Sequence, residues 1–148
     1  MVSVIEVLQK FGEVKAYPKK NRYYIEVSKD VLRDAIKSLI KAFDGDVYVC
    51  AIAAVDLIAQ GLFELNYDIQ VLKTREYVTI KVKIPRDKPV IPSISDMFEG
   101  VIPYENEVYD FYGIVFEGNK SPRKPYFLPD EMANEFPLRK DWKPPSRR

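Results

Sequence analysis

The chain has 148 residues, enough for one domain with a real core, and its 47% hydrophobic and 30% charged content is that of a globular protein. A formal net charge of +1 supplies no global field for nucleic acid or an anionic surface. One cysteine, Cys50, and no histidine exclude a disulfide, a thiolate-held zinc or iron–sulfur site, and every histidine-dependent triad. Any catalysis would fall to carboxylates, lysine or tyrosine. The longest apolar run, Val47–Val55, is far too short to cross a bilayer, and the N-terminus shows no secretory pattern, so a cytoplasmic protein is expected. Abundant lysine and glutamate without histidine suits a thermophile.

Val4, Val7, Leu8 and Phe11 recur at helical spacing and predict a helix over 2–11, with Gly12 as its C-terminal cap. Glu13–Tyr17 and Arg22–Val27 read as two short strands about the turn Pro18–Asn21. Ser28 is placed to cap a second helix. Its Val31, Leu32, Ala35, Ile36, Leu39, Ile40 and Phe43 fall on one half of the circumference and Arg33, Asp34, Lys37 and Lys41 on the other, until Asp44-Gly45 ends it. Three strands follow. Val47–Val55 is almost wholly apolar, as a central strand covered on both faces would be. Leu62–Leu72 and Tyr77–Ile84 alternate apolar with polar, so each turns one face to a core and the other to solvent or a partner. The expected fold class is α+β, two layers, with a mixed sheet in the order helix-strand-strand-helix-strand-strand-strand and both helices on one face.

The chain changes character at residue 85. Ten of its eleven prolines fall at or beyond Pro85, so a sheet domain over 1–84 is followed, within a single domain overall, by an irregular C-terminal arm over 85–148. That arm is rich in tyrosine, phenylalanine and leucine, which a solvated tail would lack. It is expected to lie partly on its own domain and partly on another protein. Ser93-Ile-Ser-Asp96 is expected to start one helical turn, capped by Ser93 or Ser95. Glu105–Tyr112 is expected to form two turns, with Val108, Phe111 and Tyr112 on one face and Glu107 and Asp110 opposite. Gly113 stops it, and Ile114–Phe116 is a short extended piece.

Two kinds of chemistry compete for the arm. Glu105, Glu107 and Asp110 could act as paired carboxylates in acid–base catalysis. Neighbouring carboxylates more often meet basic side chains, and Arg139 and Lys140 are the expected partners in a clasp, within the chain or across a subunit boundary. Tyr104, Tyr109, Phe111, Tyr112, Tyr126, Phe127, Phe136 and Trp142 are candidate interface anchors, with Tyr109 and Phe111 inward and Phe127 through Trp142 toward a partner. Cys50 reads as a buried, inert small hydrophobe, Asp56 as a turn-capping carboxylate, and Lys143–Arg148 as a solvated terminus.

Ser93-Ile-Ser-Asp96, Glu105-Asn-Glu-Val-Tyr-Asp-Phe-Tyr-Gly-Ile114, Phe116, Leu128-Pro-Asp130 and Pro137-Leu-Arg-Lys-Asp-Trp142 occur in this order. Together they resemble the respiratory-chain NADH dehydrogenase 30-kDa subunit family, which includes the matching subunits of membrane-bound nickel–iron hydrogenases. Ala54-Val-Asp56 and the strand Phe63–Val71 look like that family's core, so the resemblance covers residues 45–142. The chain departs from the pattern at Asn106, where arginine is usual, and near Asn119-Lys120, where a histidine–proline pair is usual. Around Ser121–Tyr126 the basic run keeps Arg123 and Lys124.

The resemblance implies an accessory subunit without catalytic, cofactor or metal sites of its own. It would stand in the hydrophilic arm of a membrane-bound energy-converting oxidoreductase, peripheral on the cytoplasmic side. Its implied partners are the nickel–iron-hydrogenase-like large subunit and other hydrophilic-arm subunits, with no nucleic acid. Those partners would carry the iron–sulfur clusters and any nickel–iron centre. The expected partner-binding residues are Glu105, Glu107, Tyr109, Asp110, Phe127, Pro137, Leu138, Arg139, Lys140, Asp141 and Trp142. The competing expectations are a small carboxylate-dependent enzyme built on Glu107 and Asp110, and a general adaptor domain.

Overall fold

A computed structural model describes residues 2–121 and 125–146. Its contacts divide the chain into two units, one of residues 1–53 and 64–83, the other of residues 54–63 and 84 to the C-terminus. The first unit starts with helix α1, Val4–Leu8, shorter than the periodicity of Val7 and Phe11 predicts. Ser3 caps it, its Oγ accepting the Glu6 N–H at 3.4 Å. Helix α2, Leu32–Ala42, buries Leu32, Ala35, Ile36 and Leu39, the apolar stripe read from the sequence. Ser28 does not cap it. The Ser28 carbonyl instead accepts the Val31 N–H in a turn, and the helix begins later, without a side-chain cap. At the other end Asp44 and Gly45 take φ of 50° and 81°, and the Gly45 N–H reaches back to the Ile40 carbonyl at 2.9 Å.

The strands are β1 (Lys15–Ala16), β2 (Arg22–Val27), β3 (Val47–Leu57), β4 (Leu62–Val71) and β5 (Glu76–Pro85). They form one sheet in the order β1-β2-β5-β4-β3. β1 and β2 are an antiparallel pair, whereas β2 and β5 run parallel, with Arg22 opposite Tyr77 and Val27 opposite Val82. A parallel pair needs a long crossover, and here everything from α2 to β4 lies between its two members in sequence.

In the first unit one side of the sheet is buried through Ile25, Val27, Leu65, Tyr67, Ile69, Val71, Val78, Ile80 and Val82. Glu76 belongs to that side, and its carboxylate accepts the Val4 N–H at 3.2 Å, which brings α1 to it. The opposite side is polar. There Thr79 Oγ1 donates to Asp68 at 2.7 Å, Lys83 pairs with Glu26 at 3.4 Å, and Lys81 stands 5.1 Å from the Tyr24 ring. The expected two-layer α+β class is the observed one.

The position of β3 corrects the sequence reading. It is an edge strand, not a central one, and Tyr48 and Val55 are 49% and 38% exposed. Cys50 is exposed too, so the reading of a buried thiol fails. The central places go to β4 and β5, the strands with clean alternation. Burial of a strand depends on which neighbours it acquires, and an almost wholly apolar run such as Val47–Val55 does not encode them.

The second unit holds a further parallel pair, β6 (Val90–Pro92) and β7 (Val115–Glu117), with Ile91 opposite Phe116. Helix α3, Ile102–Tyr112, joins them, with Pro103 in its first turn, where the missing N–H costs nothing. Ser93–Asp96 starts a single turn capped by Ser93, as expected: its Oγ accepts the Ser95 N–H at 3.0 Å, and the Ile94 carbonyl accepts the Met97 and Phe98 N–H groups at 3.0 and 3.1 Å. Ile84, Ile91, Ile94, Val101, Val108, Ile114 and Phe116 make the apolar core of this unit.

Candidate functional site

Helix α3 ends at Gly113, whose φ of 77° is the left-handed conformation that suits glycine. Glycine is needed there for a second reason. A Cβ at this position would come within 2.7 Å of Phe136 Cε2 and 2.9 Å of Arg139 Nη2. Phe136 itself sits at φ 52°, a strained value for an aromatic residue. Its ring meets Tyr109 edge-on at 6.1 Å and lies 4.8 Å under the Arg139 guanidinium. Arg139 Nε donates to the Tyr112 carbonyl at 2.7 Å, so the cation caps the negative end of α3. The Leu138 N–H donates to the Phe111 carbonyl at 3.1 Å. The closing motif is thereby seated on the helix end.

A carboxylate–arginine cluster fastens the same motif from its other side. Arg86 reaches Asp56 through Nε at 2.9 Å and Nη2 at 3.1 Å, and reaches Asp141 through Nη2 at 2.7 Å. Asp56 is 3% exposed and also accepts the Lys140 N–H at 2.9 Å. Arg86 and Arg139 stand 5.4 and 5.3 Å from the ring of Phe63, which Tyr112 meets edge-on at 6.0 Å. Burial pushes the Asp56 carboxyl up, but the Arg86 guanidinium and the Lys140 N–H more than reverse this and hold it below the ordinary range. The hydrogen bond from Arg86 also lowers Asp141, while Asp56 and Asp141 hold the Arg86 proton more firmly still. Burial, then the charge of Arg86, makes Arg139 a weaker base than usual.

Two more carboxylates of α3 are buried. Asp110 Oδ2 accepts the N–H groups of Tyr126 and Phe127 at 2.7 and 2.6 Å, anchoring the backbone of the arm. Glu105, 1% exposed, accepts the Ser93 hydroxyl. Burial raises the Glu105 carboxyl to about 7, against the pull of Ser93, the Ile94 N–H and the Asn119 amide.

The expected clasp of Glu105, Glu107 and Asp110 with Arg139 and Lys140 is therefore not formed within the chain among the described residues. Glu105 and Asp110 are buried on partners of their own, and Glu107, three residues from Asp110 on the helix, is exposed. Arg139 serves a helix end, Lys140 contributes its N–H, and the arginine among carboxylates is Arg86. Sequence reasoning passed over Arg86 because Arg86-Asp-Lys88 after a strand looks like any charged loop. Its partner Asp141 is 55 residues away.

Outward, the arm presents Tyr126, Phe127 and Leu138 at 65%, 48% and 52% exposure, with the Tyr126 and Phe127 rings 5.2 Å apart. Tyr109, Pro137 and Trp142 are half-buried, and Lys140 and Asp141 are exposed. Arg123 and Lys124 lie outside the described residues, as do Arg147 and Arg148 at the end of the terminus. Among the described residues no group of three or more histidine, cysteine, aspartate or glutamate side chains could hold a metal ion, and no helix is long and apolar enough to cross a membrane.

The class these features define is an α+β sheet protein with an ordered, proline-punctuated C-terminal segment seated on its own helix and carboxylates. Comparison with known proteins makes the class particular. The family model described as "Respiratory-chain NADH dehydrogenase, 30 Kd subunit" matches residues 25–148. A subunit of the F(420)H(2) dehydrogenase of Methanosarcina mazei is 33% identical over 84% of this chain and 77% of its own length. A subunit of the NADH-quinone oxidoreductase of Chloroherpeton thalassium is 35% identical over 65% of this chain, though only 39% of that relative is covered. A chain in the structure of the membrane-bound sulfane sulfur reductase, an archaeal respiratory membrane complex, superposes with a TM-score of 0.84 at 29% identity, over 95% of this chain and 83% of that one. The trypsin-resistant fragment of Nqo5 superposes with a TM-score of 0.66 at 19% identity, over 79% of this chain and 94% of that one, a likeness of fold alone.

The chain belongs to the respiratory-chain NADH dehydrogenase 30-kDa subunit family, a family of subunits of complex I and related membrane-bound respiratory oxidoreductases. The resemblance carried by the arm motif is borne out.

Proposed function

We propose that this chain is a non-catalytic, peripheral subunit on the cytoplasmic side of a membrane-bound respiratory oxidoreductase, where it binds and braces the nickel–iron-hydrogenase-like large subunit. The observation that carries the reading is the arm itself. A segment held by Asp56, Arg86, Asp110 and Gly113 leaves Tyr126, Phe127 and Leu138 outward, and fixing an apolar segment in advance lowers the ordering cost of docking it. Glu107, Lys140 and Asp141 are the exposed polar groups beside these anchors and supply the rim. Iron–sulfur clusters and any nickel–iron centre belong to the partner chains.

The test is affinity isolation of the tagged chain from its native membranes, with mass spectrometry and metal analysis. Recovery of a hydrogenase-like large subunit, with iron in the partners and none in this chain, is expected. Recovery of the chain alone would overturn the assignment. A Phe127→Ala/Leu138→Ala double variant should keep the melting temperature of the isolated chain and lose retention of the large subunit roughly tenfold or more.

A further inference from the structure

In the second unit, α3, β7 and the turn after β7 enclose a cleft of about 270 Å³, lined by Glu105, Asn106, Tyr109, Glu117, Asn119 and Ser121 among others. Asn106 Nδ2 faces Ser121 Oγ at 3.3 Å, Asn119 Nδ2 faces Asn106 Oδ1 at 3.4 Å, and the Ser121 N–H donates to Asn119 Oδ1 at 2.9 Å. Each amide nitrogen keeps a second N–H, and the Asn119 amide stands toward Glu105. Acceptor capacity also faces the cleft: second lone pairs on the two amide oxygens, the Glu117 carboxylate at the rim, and Glu105 in the wall.

Glu105 decides the chemistry. It is 1% exposed and lines the cleft, yet its Oε2 has no hydrogen bond of good geometry among the described residues. The Ile94 N–H and the Asn119 amide stand near enough to ease its charge without closing that valence. A buried carboxylate oxygen left open is costly unless a donor arrives. Among cations a guanidinium suits this wall best. It is planar, it is weakly hydrated, it offers several N–H groups to acceptors on more than one side, and the Tyr109 ring gives it a face to lie against.

The geometry points to this cleft as the socket for an arginine side chain presented by a neighbouring subunit, with Glu105 as its buried counter-ion. The inference rests on the assembly reading above and adds the chemistry of one contact. Arrival of the guanidinium would draw Glu105 to its charged form, so the contact forms only when the partner is present.

The experiment replaces the native chain with tagged wild type or Glu105→Gln and isolates each from membranes near pH 8, where the carboxyl is ionised. The isolated Glu105→Gln chain should melt higher than wild type at that pH, because the amide removes a buried charge. Its retention of the complex through a salt wash should nevertheless fall roughly tenfold or more. A more stable chain that binds less well cannot be explained by misfolding. Equal retention of the variant and a complex-forming wild type would overturn the inference. A wild type recovered alone would sink the assembly reading, and this inference with it. A double-mutant cycle joins Glu105→Gln to Arg123→Gln/Lys124→Gln. Energetic coupling between them in the isolated chain would make the cation the chain's own and overturn the proposal.

Discussion

At Gly113 two independent demands fall on one residue. Its φ of 77° disfavours a side chain, and the space a Cβ would need is taken by Phe136 and Arg139. Gly113→Ala should therefore cost roughly 2–5 kcal/mol, the sum of a left-handed alanine and an overpacked contact, read as a lower urea midpoint. Glu105 sets a pH dependence. Its folded value near 7 lies above the ordinary glutamate range, so its contribution is fully present below pH ~4.3 and is lost as pH rises through about 7. The loss should reach up to about 3 kcal/mol by pH ~8, and Glu105→Gln should flatten that limb of the stability profile. A wild-type profile with no fall over this range would contradict the burial of an ionisable group there.

At the scale of the element, the arm is held by charges of unequal weight. Asp56 is 3% exposed, and without Arg86 it would keep the Lys140 N–H and the weaker, more distant attraction of Arg139. Arg86→Ala should cost about 3 kcal/mol, the low end for a broken buried pair because that N–H remains. The Asp141 side chain is 55% exposed, so Asp141→Asn should change stability little. Limited proteolysis separates the two: Arg86→Ala should speed cleavage between Phe127 and Trp142, and Asp141→Asn should leave it near the wild-type rate. Both carboxyls sit below their ordinary values, so the cluster's contribution is present above pH ~4 and lost as pH falls through those values, the reverse of Glu105. Asp110→Ala is expected to free the Tyr126 and Phe127 N–H groups and raise their amide exchange, while the amides within β4 and β5 stay protected.

For the whole molecule, the outward anchors and the Glu105 cleft are two candidate contact surfaces, and the family places the chain among subunits. The local elements were legible in the sequence. The stripe Leu32-Ala35-Ile36-Leu39 makes α2, the alternation from Phe63 and from Val78 makes β4 and β5, and Gly113 ends α3, because helix and strand periods and a left-handed cap are properties of a few adjacent residues. The motif from Glu105 to Trp142 likewise carried the family without any geometry. Other features only the tertiary structure decided. β2 pairs in parallel with β5, β3 goes to the edge and exposes Cys50, and Arg86 rather than Arg139 or Lys140 takes the carboxylates. Each is a choice among distant partners that look alike in sequence. It is settled by which arrangement buries the apolar faces and still gives a buried charge such as Asp56 its partner, and a periodicity of two or 3.6 residues carries no information about that.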